Sequence, residues 1–454
     1  MSKTTHIAVI PSPGFTHLVP IVEFTKRLVT NHPNFHITCI IPSLGSLSDS
    51  SKSYLETIPP TINSIFLPPI NKQATLPSIH QALKSLTSKA PLVAIIADYF
   101  AFEALDFAKE FNSLSFLYFP CSAFALSLVL HFPKLDQEVS YEYKDLQEPI
   151  KLPGCVPING IDLPTPTQNR SSEAYKMFLQ RAKGLFFVDG ILFNSFFELE
   201  SSVIKALEQK GHGKISFFPV GPITQIGSSS SNDVDDEFEC LKWLKNQPQN
   251  SVLYVSFGSG GRLSQRQINE LAFGLELSGQ RFIWVVRAPR DSVNAAYLEA
   301  TNEDPLRFLP HGFLERTKEK GLILSSWAPQ VEILKQNSVG GFLSHCGWNS
   351  ILESIQEGVP IVAWPLFAEQ AMNAVMLSDG LNVAIRLKFE DDEIVEKEEI
   401  AKVIKCVMEG EEGKGMRERM KKLKDSAVNA LKFDGFSIQT LSQLTRKLES
   451  FGRI

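Results

Sequence analysis

The chain has 454 residues, 43% of them hydrophobic, which is too long for one ordinary core and predicts two domains. The formal net charge of −5 excludes the basic footprint of a protein that binds nucleic acid or an anionic membrane. We expect a cytoplasmic protein with reduced thiols, because the six cysteines form no CxxC pair and the N-terminus turns polar too early for a signal peptide. No apolar run reaches the roughly eighteen residues that would suggest a membrane span.

The first half alternates short apolar runs with helical stretches. HIAVIPSP is a predicted strand, followed by a tight turn at Gly14 and a helix that opens near Leu18 with Pro20 in its first turn. The later predicted strands are FHITCIIPS, INSIFLPP, PLVAIIAD, SLSFLYFP, GILFNSF and ISFFPVGP. This pattern is typical of a parallel sheet covered on both faces.

The second half repeats the pattern after a Ser-rich, acidic stretch at 225–239, which we interpret as an interdomain linker. Its predicted elements are the strand SVLYVSFGS, a helix over 264–278, and the strands RFIWVVR and LILSSWAP. After them come GGFLSH, a turn at CGWNS, the helix SILESIQEG closed by Gly358, the strand VPIVAWP, a helix starting in AEQAMNAVML, NVAIRL and a charged, solvent-facing helix from Lys397. The fold class is therefore α/β, with two Rossmann-like doubly wound domains.

The turn at His345–Ser350 places backbone N–H groups at a helix N-terminus, which is a favourable site for a diphosphate. An indole can act as a π-platform, and a carboxylate can accept from both hydroxyls of a diol. The alternative is that Trp327, Trp348 and Trp364 are core aromatics and His345 is a buried histidine, and for Trp364 we favour the core.

The whole segment from Trp327 to Gln370 resembles, without a gap, the signature box of the plant family-1 UDP-glycosyltransferases, which have the GT-B fold. The resemblance implies two domains facing across a cleft, at 1–224 for the acceptor and 240–430 for the UDP-sugar, with a C-terminal helix at 431–454 that packs back on the first domain. It implies that Trp327 and Ala328 bind uracil, that His345, Asn349 and Ser350 hold the phosphates, and that Glu353 binds the ribose. The resemblance also implies that Trp348, Glu369 and Gln370 contact the hexose. Further implied contacts with the UDP-sugar are those of Ser259 and Gln330.

A histidine after the first strand is the implied catalytic base. His17 follows HIAVIPSP, and Asp98 ends PLVAIIAD, so both fall at the carboxyl end of a sheet, where ligands bind. By the resemblance, Asp98 orients His17, which deprotonates an acceptor hydroxyl for an inverting attack on UDP-glucose that yields a β-glucoside. No metal or other cofactor is expected, and the implied acceptor contacts are Phe15, Tyr99, Phe100 and Ser122.

Two other motifs point elsewhere and are set aside. Asp233 and Asp235 match the DxD metal motif of a different transferase fold, but they lie in the Ser-rich linker with no strand before them. FGSGGRL resembles a dinucleotide loop, but Leu263 stands where the third glycine of GxGxxG belongs.

Within the family the chain is similar to the phenolic branch that includes hydroquinone and arbutin-forming glucosyltransferases, as HFPKLD, EPIKLPGCVPI and MNAVMLSDGL indicate. Only 28 residues separate Pro69 from Asp98, where such relatives carry about one helix more, so the acceptor pocket is expected to be altered. Besides a monomeric O-glucosyltransferase acting on a small phenol or flavonoid, two alternatives stay open. One is a UDP-sugar epimerase, and the other is a sugar-nucleotide-binding protein without transfer activity.

Overall fold

The computed structural model describes residues 5–12, 14–42, 54–68, 75–209, 213–224, 238–290, 304–325, 327–389 and 394–452. Most of the predicted linker and the Asp233–Asp235 motif fall outside these ranges, as do the side chains of Phe15 and Thr16. Within the described residues, no helix is long and apolar enough to cross a membrane.

A seven-stranded parallel sheet forms the first half. Its strands are β1 Thr5–Ile10, β2 Phe35–Ile41, β3 Ile62–Phe66, β4 Leu92–Asp98, β5 Leu114–Phe119, β6 Gly190–Phe193 and β7 Ser216–Pro219. They lie in the order β3-β2-β1-β4-β5-β6-β7, so the sequence order reverses between β1 and β4. Nearly every residue of β1 and β4 is buried, as expected of strands covered on both faces.

Helices connect these strands. They are α1 Phe15–Asn31, α2 Thr75–Thr87, α3 Phe107–Glu110, α4 Ala123–Glu138, α5 Glu173–Gly184 and α6 Phe197–Gln209. Helix α1 begins three residues before the predicted Leu18, because Gly14 adopts φ 119, a conformation open chiefly to glycine, and turns the chain at once. Pro20 therefore lies in the second turn of α1, not the first.

A six-stranded parallel sheet forms the second half, in the order β10-β9-β8-β11-β12-β13. Its strands are β8 Val252–Ser256, β9 Arg281–Val286, β10 Gly321–Ser325, β11 Val339–Ser344, β12 Ile361–Ala363 and β13 Ala384–Arg386. Its helices are α7 Glu239–Lys245, α8 Gln265–Ser278, α9 Phe313–Thr317, α10 Gln330–Leu334, α11 Trp348–Glu357, α12 Gln370–Val375 and α13 Lys397–Glu409. The strand order again reverses once, between β8 and β11, which confirms the doubly wound α/β class.

Two long helices complete the chain, α14 Glu411–Ala430 and α15 Phe436–Gly452. The prediction that α14 faces solvent is wrong for one of its faces, because Met416, Met420 and Ala427 are buried and α14 contacts α11, α13 and α6. Between the charged positions of α14, apolar residues recur at helical spacing and form this buried face. Helix α15 contacts β4 and β7 of the first sheet, and Leu444 is fully buried there.

Candidate active site

The predicted site residues gather where the strand order of each sheet reverses. In the first sheet, His17 follows β1 and Asp98 ends β4, and these strands are hydrogen-bonded neighbours. In the second sheet, Ser259 follows β8 and His345 follows β11, which are also neighbours. The carboxyl ends of strands beside such a reversal leave a crevice for a ligand.

Asp98 is fully buried and fixed by three hydrogen bonds. Its Oδ1 accepts from the hydroxyl of Ser12 and from the backbone N–H of Phe100 at 3.0 Å, while Oδ2 lies 3.2 Å from Nδ1 of His17. With Nδ1 committed to the carboxylate, Nε2 is the ring nitrogen of His17 left for a substrate proton. The His17 side chain is 26% exposed and meets the edge of Phe100, with ring centroids 4.9 Å apart.

Opposing effects act on the imidazole of His17. Burial lowers its pKa, but the charge of Asp98, the hydrogen bond to Asp98 and the charge of Glu369 together raise the pKa above the ordinary 6.5. Glu369 belongs to the second half, so residues of both halves act on this histidine. The arrangement suits a general base whose protonated form is stabilised during proton transfer.

His345 is held in the turn before α11 by two glycines. A Cβ at Gly258 would approach its Cε1 to 2.6 Å, and one at Gly347 would approach its Nε2 to 2.4 Å, so no larger residue fits at either position. Burial and the charge of Arg287 lower the pKa of His345 to about 4, so the ring is neutral at pH 7. Its Nδ1 is buried and has no hydrogen-bond partner among the residues that the structure describes.

The N-terminus of α11 starts beside His345. Gly347 is its N-cap and supplies no side-chain hydrogen bond, and no acidic residue occupies the first turn, which contains Asn349 and Ser350. The backbone N–H groups and the helix dipole at such an end favour an anion. Together with the neutral ring of His345, these groups form a candidate cradle for a diphosphate.

The predicted nucleoside contacts lie in the segment just before α10, on α10 and on α11. Trp327 is 66% exposed, an unusual state for an indole, and its ring centroid is 5.7 Å from that of Phe238. Gln330 donates from Nε2 to Glu353 Oε2 at 2.6 Å and to Ser350 Oγ at 2.9 Å. Burial raises the pKa of Glu353 to about 7, although the hydrogen bond from Gln330 lowers it. Ala328 is partly buried against an apolar cluster of the second half.

The predicted hexose contacts differ in what their side chains already bind. Trp348 is buried, and its indole N–H donates to the backbone carbonyl of Asn194 in the first half at 2.6 Å. Gln370 Oε1 accepts from the backbone N–H groups of Leu366 and Phe367 at 2.9 and 3.0 Å, so its amide hydrogens remain for a ligand. Burial raises the pKa of Glu369, although backbone and side-chain hydrogen bonds and His17 lower it.

The predicted acceptor contacts differ in how far their side chains are exposed. Phe100 is 51% exposed beside His17, whereas Tyr99 is buried and packs on Phe119. Ser122 is fully buried and caps α4 by accepting from the N–H of Ala125, so its side chain cannot reach an acceptor in this conformation. A Ser before an apolar helix indicates an N-cap as readily as a ligand contact. The side chain of Phe15 lies outside the described residues.

The loop after β8 reaches the same region. Ser259 is exposed, and its backbone carbonyl accepts from the guanidinium of Arg287. A small cleft beside this loop is lined by Ser256, Gly258, Arg262 and Arg287, among others. Leu263 is buried in the core, while Trp364 is buried and packs on Phe257, as the core interpretation of Trp364 predicted.

Sequence reasoning missed Ser12, Asn194 and Asn373. Asn194 directly follows β6 and Ser12 lies two residues after β1, so their positions at carboxyl ends of strands were a usable signal. Asn373 lies four residues after Glu369, the spacing at which helical side chains meet, and its Nδ2 is 3.3 Å from Glu369 Oε1. All six cysteines are free, three buried and three partly buried.

Two groups of predicted site residues thus lie at the strand reversals, the His17–Asp98 pair in the first half and the turn before α11 in the second, and their chemistry suits an enzyme that uses a sugar nucleotide. Comparison with known proteins gives the family. The model for "UDP-glucoronosyl and UDP-glucosyl transferase" matches residues 218–438. The chain is 48% identical to the hydroquinone glucosyltransferase of Rauvolfia serpentina, over 99% of each chain, and 47% identical to UDP-glycosyltransferase 72B1 of Arabidopsis thaliana, over 98% of this chain and 96% of that one.

Solved structures agree with this match. A UDP-glucosyltransferase from Polygonum tinctorium, capable of glucosylating indoxyl, is 42% identical with a TM-score of 0.91, covering 99% of this chain and 100% of that one. Phytolacca americana UGT2, complexed with UDP-2fluoro-glucose and pterostilbene, is 42% identical with a TM-score of 0.89, covering 98% of this chain and 99% of that one. The chain belongs to the plant UDP-glycosyltransferase family and is a UDP-dependent glycosyltransferase of GT-B fold, which sets aside the epimerase alternative.

Proposed function

We propose that the enzyme transfers glucose from UDP-glucose to the hydroxyl of a small phenol or flavonoid, with inversion at the anomeric carbon. The observation that carries this proposal is the contact of 3.2 Å between His17 and a buried Asp98, a base and its orienting carboxylate. The names of the relatives support a phenolic acceptor, since one is a hydroquinone glucosyltransferase and another an anthocyanidin 3-O-glucosyltransferase.

The proposed reaction is a single displacement. Nε2 of His17 takes the proton of the acceptor hydroxyl while that oxygen forms a bond to the anomeric carbon of glucose. The bond from this carbon to the phosphate oxygen breaks on the opposite face, and UDP leaves. An α-linked donor therefore gives a β-glucoside. Asp98 stabilises the imidazolium that forms on His17.

The leaving UDP gains negative charge as the bond breaks. In the proposal, the N-terminus of α11, Asn349, Ser350 and the neutral ring of His345 stabilise that charge. Trp327 and Ala328 bind uracil, Gln330 and Glu353 bind the ribose, and Ser259 contacts a phosphate. These dipoles take the place of a divalent metal, so transfer should persist after treatment with a chelator.

The donor is proposed to be UDP-glucose, because Trp348 and Gln370 resemble the residues of glucose users in this family. Gln370 keeps both amide hydrogens for the sugar, which suits binding of neighbouring hydroxyls. A few hydrogen bonds worth on the order of 1 kcal/mol each set the preference, so some use of UDP-galactose is compatible. A kcat/KM for UDP-galactose or UDP-glucuronate that equals that for UDP-glucose would contradict the proposed donor.

The acceptor pocket is proposed to lack part of a wall. The crossover from β3 to β4 contains α2, and the alignment with the Rauvolfia enzyme runs over 469 positions, so at least 15 positions of that relative have no counterpart in these 454 residues. We place the missing wall before α2, which predicts weak and broad acceptor binding with donor affinity intact. Inserting a helix of relative-like sequence between Lys72 and Leu76 should lower the acceptor KM, and an unchanged KM and acceptor range would show that the pocket is built elsewhere.

The division into an acceptor domain at 1–224, a linker at 225–239, a donor domain at 240–430 and a returning helix at 431–454 stays a prediction. The same holds for the monomeric state and the cytoplasmic location. Contacts that bear on the division include a hydrogen bond between Thr224 and Gln356 at 2.6 Å and the ion pair of Asp162 with Arg386.

A mass-spectrometric screen of phenolic acceptors with UDP-glucose tests the proposed activity. His17→Ala should reduce product formation by at least about 100-fold while calorimetry still detects UDP binding, because the base and the nucleotide cradle lie in different halves. The matched control is His80→Ala, which removes a partly exposed histidine paired with Glu110 at 2.9 Å. Turnover of His17→Ala within about tenfold of the wild type would remove His17 from the proposed role.

The short crossover favours one other function, that of a sugar-nucleotide-binding protein without transfer. UDP binding with no product across the acceptor panel would support that second candidate.

A further inference from the structure

One buried side chain joins two parts of the donor region. Asn373 lies on α12 and is fully buried. Its Nδ2 donates to the backbone carbonyl of Cys346 at 3.0 Å and to Glu369 Oε1 at 3.3 Å. The first contact is in the turn that leads into α11, and the second is with a proposed hexose contact.

The orientation of this amide is fixed by its two acceptors. Turning it over would place Oδ1 against a carbonyl oxygen and a carboxylate oxygen, which repel it. In the observed orientation, Oδ1 is buried and has no hydrogen-bond partner among the residues that the structure describes. A buried, unsatisfied carbonyl destabilises the folded state, so stability alone does not explain the choice of asparagine.

The turn that Asn373 holds is itself unusual. Cys346 has φ 62, a left-handed conformation that is uncommon for residues other than glycine. A hydrogen bond to its carbonyl stabilises this conformation and thereby the direction in which α11 begins. The N-terminus of α11 is the proposed diphosphate cradle, so Asn373 contacts the frame of the phosphate site.

The carboxylate that Asn373 holds also acts on the other half. The charge of Glu369 helps to raise the pKa of His17, and, after burial, it helps to raise the pKa of the Cys121 thiol. Glu369 thus lies between the amide of α12 and residues of the first half.

We propose that Asn373 is a positioning residue for the sugar nucleotide, which couples the phosphate cradle to the hexose site by holding Cys346 and Glu369 through one amide group. The inference rests on the proposed function, in which Glu369 contacts the hexose. It predicts that loss of the amide weakens the binding of UDP, and weakens the binding of UDP-glucose further.

Two variants test this coupling by calorimetry without acceptor. Asn373→Ala removes the amide, and the isosteric Asn373→Asp replaces its donors with acceptors. We expect the Kd of UDP-glucose to rise about tenfold and the Kd of UDP to rise only a few-fold, because the second hydrogen bond matters only when the hexose is present. Asn246→Ala is the matched control, since that exposed amide donates to a backbone carbonyl at 3.1 Å outside the site and should leave both values unchanged.

A double-mutant cycle separates positioning from general support of the fold. In Asn373→Asp with Glu369→Gln, the new carboxylate can accept from the new amide, which restores a hydrogen bond of reversed polarity. The double variant should therefore bind UDP-glucose at least as well as Asn373→Asp alone. Additive losses would overturn the proposal, as would equal weakening of UDP and UDP-glucose in Asn373→Ala.

Glu369→Ala shows which assignment has failed. If Glu369→Ala leaves the difference in Kd between UDP and UDP-glucose unchanged, Glu369 does not contact the hexose. Both the proposed function of that residue and this inference then fall. If it removes the difference while Asn373→Ala does not, this inference alone falls. The midpoint of thermal unfolding, measured for each variant, identifies any variant that does not fold. If Asn373→Ala does not fold, the isosteric Asn373→Asp is the variant that tests the inference.

Discussion

The indole N–H of Trp348 donates to the backbone carbonyl of Asn194 at 2.6 Å, and this bond joins the second half to the first at the cleft. Both residues are buried, at 3% and 0% exposure, so water cannot replace the bond. The largest apolar cluster passes through the same point, since it includes Phe193 and Phe196 of the first half with Trp348 and Ile351 of the second. This packed contact therefore connects the half that contains the proposed base to the start of α11, which is the proposed diphosphate cradle.

Trp348→Phe should weaken this connection. The phenyl ring keeps most of the packing but leaves the Asn194 carbonyl without its donor, which costs about 2 kcal/mol in the free energy of unfolding. We also expect a higher KM for UDP-glucose, because Trp348 is the first residue of α11. Urea denaturation and donor titrations measure the two effects.

The control for that change is Trp364→Phe. Trp364 is buried in a cluster made only of second-half residues, so its truncation should cost stability while the donor KM stays near that of the wild type. Equal effects of the two substitutions on KM would show that the contact with Asn194 has no particular role.

The pH dependence of kcat/KM should depend on Asp98. The base must be neutral to accept a proton, so the rate rises with pH through the pKa of His17, which lies above 6.5. Asp98→Asn removes the charge that most raises this pKa, so the acidic limb should move to lower pH while the maximal rate falls. Glu369→Gln should move the limb in the same direction by a smaller amount.

Glu110→Gln provides the comparison for these profiles, because Glu110 pairs with His80 on an exposed surface. Its profile should overlay that of the wild type. An acidic limb that stays in place in Asp98→Asn would mean that another group sets it.

Stability in mild acid should depend on His6. Burial, and secondarily the charge of His36, lower the pKa of His6 from 6.5 to about 4 in the folded protein. A lowered histidine pKa means that the unfolded chain binds the proton more tightly, so this contribution is present above pH 6.5 and is lost as pH falls towards 4. The loss amounts to about 3 kcal/mol at most.

His6→Gln should flatten the fall in stability between these pH values, since glutamine can still bond to Thr38 Oγ1, now 3.0 Å from His6 Nε2, but does not titrate. His36→Gln should change the slope little, because burial is the larger cause. His345, with a pKa also lowered to about 4, leaves part of the slope in either variant. Urea denaturation at several pH values measures the slope of stability against pH. A slope in His6→Gln equal to that of the wild type would rule out His6 as a source of acid sensitivity.

The positions of His17, Asp98 and His345 could be predicted because they depend on local order. Short apolar runs alternate with helices, parallel strands place their carboxyl ends at one edge, and a residue just after a strand must lie at that edge. The turn before α11 could be predicted in a similarly local way, from the helix N-terminus that follows it. The resemblance of the signature box to the family implied Trp327 and the chemical roles of these residues, and the roles stay predictions.

Other features depend on how the two sheets face each other, which no local pattern encodes. The bond of Trp348 to Asn194 joins residues 154 positions apart, and the buried face of α14 is set by helices from both halves. Ser122 was assigned to the acceptor through the resemblance alone, and its hydroxyl accepts from the N–H of Ala125 in the first turn of α4. The N–H groups in the first turn of a helix have no partner within the helix, so a Ser just before the helix often accepts from one of them.

The affinity for UDP should depend on the protonation of Glu353. Its pKa is raised to about 7 by burial, and ribose hydroxyls donate best to the ionised carboxylate. Binding therefore favours loss of the proton, and the Kd of UDP should rise about tenfold between pH 8 and pH 6. Gln330→Ala should shift this dependence to higher pH, because the hydrogen bond from Gln330, 2.6 Å from Glu353 Oε2, lowers the pKa of Glu353.

The β-phosphate of UDP also titrates near pH 6, so the comparison needs 2′,3′-dideoxyuridine diphosphate, which has the same phosphates but no diol. Calorimetry should show weaker binding of this analogue with a flatter pH dependence. If both nucleotides follow the same curve, the phosphate alone titrates and Glu353 does not bind the ribose through its charge.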